Sequence, residues 1–173
     1  MAENSPRFDE ILRYLQPRDD YVIWAGLAAY VHVGTPHSND VDVYTESQKS
    51  FEEMSKEFEA RAWSPNRTKL PSNGMRNDLR KESVTFDIVY SPFSRILFED
   101  AARLNAYGYR LKFVSKEALL LTKLGQMSSK GRPPKKMAKD AETIQKLRAV
   151  VSAERVSKLS YNMPRSYWAS GFV

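Results

Sequence analysis

Cysteine is absent from the 173 residues. Its absence excludes disulfides and thiolate metal sites, and it suits a chain kept in a reducing compartment. There is no P-loop, no G-x-G-x-x-G, no H-E-x-x-H pair and no serine nucleophile elbow, so the chemistries tied to those motifs have no foothold. No apolar run approaches the ~20 residues that a membrane helix needs. The opening stretch MAENSPRFDE carries no basic segment leading into an apolar one. The expectation is therefore a cytoplasmic chain with no membrane partner. Histidine is scarce, with His32 and His37 alone.

Acid is scarce in one half only. Residues 1–102 hold 12 Lys+Arg against 17 Asp+Glu, whereas residues 103–173 hold 15 against 4. The +6 net charge therefore hides an acidic first part and a strongly basic second part. A basic half can attract the phosphates of a nucleotide or a nucleic acid, or simply keep a surface solvated. The apolar content of 42% and the length suit one domain over residues 1–173. Its core is expected over about 20–115 and a basic helical part over about 115–160.

Helices and strands alternate, which predicts an α/β or α+β fold with a small mixed sheet. Ser5-Pro6 opens a helix carrying Phe8, Ile11, Leu12 and Leu15. Residues 21–25 read as a buried strand, 27–33 as a short helix and 40–44 as a strand. Phe51, Met54 and Phe58 mark a further helix. Residues 64–82, with Pro65, Pro71 and Gly74, read as a long loop or a weak edge hairpin. A strand at 84–90 is followed by a helix from Pro92 to about Asn105. After a strand at 109–114, Ser115 caps another helix. A basic loop covers 128–134, a helix runs from Met137 to about Val151, and a final short helix follows.

The most informative segment is Asp40-Val41-Asp42-Val43. In a strand, i and i+2 share a face, so Asp40 and Asp42 present two carboxylates side by side while Val41 and Val43 face a core. Such like charges repel unless a cation lies between them, and hard oxygen ligands suit Mg²⁺ or Mn²⁺. Asp87 is a lone acid inside the apolar strand Thr85-Phe86-Asp87-Ile88-Val89 and needs a partner. If the two strands are neighbours, three carboxylates meet and can hold metal ions that align a triphosphate. Gly26 follows a strand and begins a helix, where backbone can approach a phosphate closely.

The stretch Trp24-Ala25-Gly26-Leu27-Ala28 through Asn39-Asp40-Val41-Asp42-Val43 resembles the signature of the polymerase-β-like nucleotidyltransferase superfamily. That signature is a Gly-Gly or Gly-Ser turn, roughly ten residues, D-x-D on a strand and a third acid on a later strand. Here the turn is Ala25-Gly26-Leu27, short of one Gly and the Ser. Residues 115–124 and Lys139-Asp140 look like the helix pair of stand-alone, AbiEii-type minimal nucleotidyltransferases. The resemblance implies transfer of a nucleoside monophosphate from an NTP to a hydroxyl, catalysed by Asp40, Asp42 and Asp87 with Mg²⁺ or Mn²⁺. It assigns Gly26, Leu27, Ser38, Lys123 and Asp140 to the nucleotide. RNA, with tRNA foremost, is the acceptor that the basic half suggests. The rivals are a catalytically degenerate nucleotide- or nucleic-acid-binding protein on the same fold, or a toxin–antitoxin component.

Lys123 and Asp140 also stand out without the family. Lys123 falls within the apolar stripe of Leu119, Leu120 and Met127, and Asp140 within that of Met137, Ile144 and Leu147. The bland reading is a structural ion pair; the functional one is a cation for the triphosphate and an acid that orients it or the base. His37 reads as a solvated loop histidine. Segment 128–136 reads as a free basic loop that can grip a polynucleotide. Trp63, Tyr161, Tyr167 and Trp168 are either stacking platforms for bases or buried packing.

Overall fold

The structure, a computed structural model, describes residues 8–163. Seven strands form one sheet. In chain order they are β1 (Tyr21–Trp24), β2 (Asp40–Thr45), β3 (Arg67–Leu70), β4 (Gly74–Lys81), β5 (Val84–Tyr90), β6 (Ala102–Ala106) and β7 (Tyr109–Phe113). In space the order is β3-β4-β5-β2-β1-β7-β6. β2 runs parallel to β5, β1 runs parallel to β7, and the other neighbours are antiparallel. The helices are α1 (Asp9–Leu15), α2 (Ala25–Val33), α3 (Gln48–Ala60), α4 (Lys116–Met127), α5 (Pro134–Arg148) and α6 (Ala153–Asn162). This is the mixed α/β architecture with C-terminal helices that the alternation of elements predicts.

The amphipathic strands separate two worlds. Val41, Val43, Phe86, Ile88 and Leu79 are fully buried on the face that α3 covers. There Phe58 meets Phe86 edge-on at 4.7 Å between centroids and Trp63 at 5.4 Å. Trp63 is thus core packing and cannot stack a base. Burial of such rings supplies ~1.5–3 kcal/mol each, which anchors the sheet on this side. The opposite face carries the acids of β2 and β5, and α4 and α5 close over it.

One segment differs from the sequence reading, and a second settles between the two alternatives that it left. Residues 92–105 are not one helix: a 3₁₀ turn at Ser94–Phe98 leads into β6. The string Ala-Arg-Leu-Asn-Ala has ample helix propensity, but a two-residue turn at Tyr107 (φ 51°) and Gly108 (φ 83°) folds it back onto β7. Positive φ at both turn residues is what a twisted hairpin demands, and pairing overrides propensity. The second is the segment 64–82, where the edge hairpin, not the loop, is realised as β3 and β4. Helix boundaries shift elsewhere by a few residues, α2 starting at Ala25 and α5 at Pro134. The helix start at Ser5-Pro6 and the aromatic residues Tyr167 and Trp168 lie outside the described residues. Tyr161 is in α6 and 91% exposed.

Candidate active site

One row of side chains crosses the open face of the sheet. In register from strand to strand stand Trp24, Asp42, Asp87 and Asp78. Asp40 lies two residues before Asp42 on the same face. Arg76 and Arg80 flank Asp78 on β4. Together they floor a cleft of about 410 Å³, within the usual size for a small-molecule site. The roof comes from α4 and α5, with Lys123, Lys136, Lys139 and Asp140, and from Arg132 in the turn between them. The first turn of α2, with Ala25 and Gly26, closes one wall.

The floor is electrostatically unsettled. Burial, then Asp87, then Asp40 push the Asp42 carboxyl up to about 8, from an ordinary 3.8. Lys123 and Arg76 only partly offset this. Asp87 is 5% exposed and is also shifted upward by burial, against the pull of Arg76. Arg76 grips it with two bonds, Nε donating to Oδ1 at 2.9 Å and Nη2 to Oδ2 at 2.7 Å. Arg80 does the same for Asp78, at 3.2 and 2.9 Å. Asp40 accepts from the Ser38 hydroxyl at 2.7 Å.

The roof is paired. Asp140, 2% exposed, accepts from Lys123 Nζ at 3.0 Å and from Arg132 Nε at 2.6 Å. The Lys123–Asp140 ion pair of the bland reading therefore exists, and it faces the cleft as the functional reading requires. Arg132 was hidden in the sequence inside what reads as a free basic loop. That loop is instead a short turn whose arginine is committed to Asp140 and whose end, from Pro134, is already α5. Lys139 is held below its ordinary value by burial and by neighbouring Lys123, so the roof has little appetite for more positive charge.

Gly26 and Ser38 line the cleft. A Cβ on Gly26 would sit 3.3 Å from the His37 Cβ, so this glycine admits the 34–39 loop closely against α2. Leu27 does not reach the site: its side chain is fully buried in the core. Ala25 holds φ at +56°, a left-handed conformation that strains a residue with a Cβ. His37 is only partly exposed. It packs at 5.6 Å from Phe8, 5.2 Å from Tyr30 and 5.8 Å from Tyr107, and its Nδ1 meets the Ser38 carbonyl at 2.6 Å. This clamp fixes the loop that carries Ser38 and leads to Asp40.

Arg76, Asp78 and Arg80 are the site residues that sequence reasoning misses. The legible signal was the alternation of Met75, Asn77 and Leu79 with Arg76, Asp78 and Arg80, which puts three charges on one strand face.

Asp40 and Asp42 stand two residues apart on one face of β2, and carboxylate oxygens so paired are the donor type a hard divalent cation takes. Asp87 is adjacent in register but turned to Arg76. As the side chains stand, no group of three or more His, Asp or Glu among the described residues forms a metal-ligand set.

No protein-family model matches the chain, and no curated protein matches it. Solved structures do. The crystal structure of ANT(2'')-Ia in complex with adenylyl-2''-tobramycin has 17% identity and a TM-score of 0.60, covering 92% of this chain and 91% of that one. The solution structure of the antibiotic-resistance factor ANT(2'')-Ia has 16% identity and a TM-score of 0.55, covering 91% and 85%. An antigenic nucleotidyltransferase-like protein from Paracoccidioides brasiliensis has 16% identity and a TM-score of 0.50, covering 92% and 86%. The chain thus has a nucleotidyltransferase fold. Among the described residues no helix is long and apolar enough to cross a membrane.

Proposed function

We propose that this chain, acting as a single domain over residues 1–173, is a metal-dependent nucleotidyltransferase that moves a nucleoside monophosphate from an NTP to a hydroxyl acceptor. The observation that carries the reading is the cleft itself: unneutralised carboxylates on its floor, cations on its roof, and a nucleotidyltransferase fold beneath. Asp40 and Asp42 would hold Mg²⁺ or Mn²⁺, which supplies charge neutralisation at the triphosphate when bound. Lys123 and Arg132 present their cations to the phosphates across Asp140, and the unpaired amides of the first turn of α2 add a favourable dipole. The acceptor oxygen bonds to the α-phosphorus, the bond to the β-phosphate breaks, and pyrophosphate leaves. The acceptor proton goes to Asp87, which must first be released by Arg76.

The basic half of the chain and the cations of the roof favour a polyanionic acceptor, and RNA, tRNA included, is the acceptor we propose. The stand-alone, AbiEii-type arrangement, with its toxin–antitoxin context, remains a proposal resting on residues 115–124 and Lys139-Asp140. A second reading, nucleotide binding without turnover, is favoured by the paired hydrogen bonds of Arg76 to Asp87 and by the strained Ala25 in the turn.

Pyrophosphate release from each NTP, with Mg²⁺ or Mn²⁺ and with total RNA as acceptor, tests this. Metal-dependent release that Asp42→Asn abolishes supports transfer. Tight nucleotide binding without release selects the second reading, and no nucleotide binding at all sinks both. RNA binding that weakens steeply with salt is the expected signature of the acceptor.

A further inference from the structure

Gln126 lies in α4 three residues after Lys123, on the same side of the helix and about 4.5 Å further along its axis. It is 7% exposed and lines the cleft. Its buried carboxamide oxygen accepts no hydrogen bond from the described residues. Folded proteins rarely leave such an atom unpaired, because burial strips its water and returns nothing. In a cleft, the missing donor is one that arrives with the ligand.

The surroundings indicate which part of a ligand that is. Lys123 and Arg132, joined through Asp140, supply the cationic patch that suits phosphates. The cleft also has apolar lining, from Trp24, Ala29, Leu70 and Val89. A flat, weakly polar group with hydrogen-bonding edges suits a cleft that offers an amide and apolar lining, and in a nucleotide that group is the base.

We propose that the Gln126 carboxamide reads the nucleobase. Oε1 accepts from an exocyclic amino group and Nε2 donates to the adjacent ring nitrogen, the complementary pairing an amide makes with an amino-bearing base. The site therefore takes adenine or cytosine. With the amide oriented as it stands, Oε1 being the buried atom, guanine and uracil place a carbonyl oxygen against it and leave it unpaired. This deepens the nucleotidyltransferase reading and rests on it.

The experiment measures calorimetric affinities, in Mg²⁺, of the wild type and of Gln126→Met for ATP, CTP, GTP, UTP and inorganic tripolyphosphate. The wild type is expected to bind ATP or CTP at least ~10-fold more tightly than GTP and UTP. Which of the two amino-bearing bases binds more tightly names the preferred one. Gln126→Met loses that preference, keeps its tripolyphosphate affinity, and melts without ligand no lower than the wild type, since an unpaired polar atom has gone. Purine riboside triphosphate, which lacks the amino group and so leaves Oε1 unpaired, is expected to bind the wild type more weakly than ATP. Should Gln126→Met melt low, Gln126→Asn, which withdraws the amide by one methylene, is expected to show the same lost preference. A wild type without base preference, a variant that keeps it, or a tripolyphosphate affinity that falls with that of ATP overturns the proposal. If the wild type binds no triphosphate at all, the nucleotidyltransferase reading falls with it; binding without discrimination sinks the role of Gln126 alone.

Discussion

The roof of the cleft and its floor treat buried acid in opposite ways. On the roof, Asp140 is nearly sealed from water and is held by two cations, Lys123 and Arg132. On the floor, Asp40 and Asp42 of β2 and Asp87 of β5 share a sheet face, one guanidinium pairs with Asp87, and the Asp42 carboxyl is pushed up to about 8. The roof carboxylate organises protein cations and completes a structure. Asp87 is paired with Arg76, but Asp40 and Asp42 have no ion-pair partner among the described residues. The same side-chain type is thus a structural link in one wall and a waiting ligand in the other, and the surrounding charges, not the residue type, decide which.

Breaking the roof is expected to have the largest effect. Asp140→Asn leaves two cations facing each other, one of them buried, and should cost ~3 kcal/mol of stability because the charges lose the anion they share. Chemical denaturation checks this. A loss under ~0.5 kcal/mol would mean that water already solvates the trio, and the contrast with the floor would vanish.

The floor should respond with the opposite sign. Asp42 has a folded-state value of about 8 against 3.8 ordinarily. Between those values the unfolded chain releases a proton that the folded chain keeps. The folded state is favoured at the acidic end, and its advantage shrinks as pH rises through 8. Without metal, Asp42→Asn should therefore stabilise the chain at pH 8 by ~1–2 kcal/mol and flatten the pH profile between 4 and 8. Melting curves across that range, with and without Mg²⁺, decide it. A destabilised variant would show that Asp42 is already satisfied.

The smallest effect concerns the wall. Ala25→Gly relieves a left-handed residue and should raise stability by ~0.5–1 kcal/mol, net of the extra freedom glycine has when unfolded. An unchanged or lower melting temperature would show that the turn stores no strain and that its departure from a Gly-rich signature is harmless.

The parts of this site that were legible in the sequence are those written in local periodicity. Asp40 and Asp42 declare themselves by alternating with Val41 and Val43, and Asp87 by its isolation among apolar residues. Lys123 and Asp140 show as charges inside apolar helical stripes. The parts that were not legible depend on distant pairing. β4 reads as either a loop or a weak edge hairpin because Asn77 interrupts its apolar face, yet Asn77 is fully buried and donates to Glu59 of α3 at 3.1 Å. Its amide nitrogen is answered by a residue eighteen positions away, while its buried Oδ1 accepts no hydrogen bond among the described residues. β6 looks helical until β7 is available to pair with it. Arg132 looks free because its partner lies on the next helix, and His37 looks solvated because Phe8, Tyr30 and Tyr107 come from three other segments.

Chain order carries one further consequence. β1 is completed on one side by β7, through Ile23 and Phe113, and the roof helices follow only after that. A ribosome therefore delivers the whole acidic floor before it delivers any cation of the roof. Contacts of such sequence separation close slowly, so an emerging chain must tolerate its own repulsion for a time. Arg76 precedes Asp87 by eleven residues on the adjoining strand. It is the cation that arrives early enough to escort that carboxylate through synthesis, whatever it later does in the finished cleft.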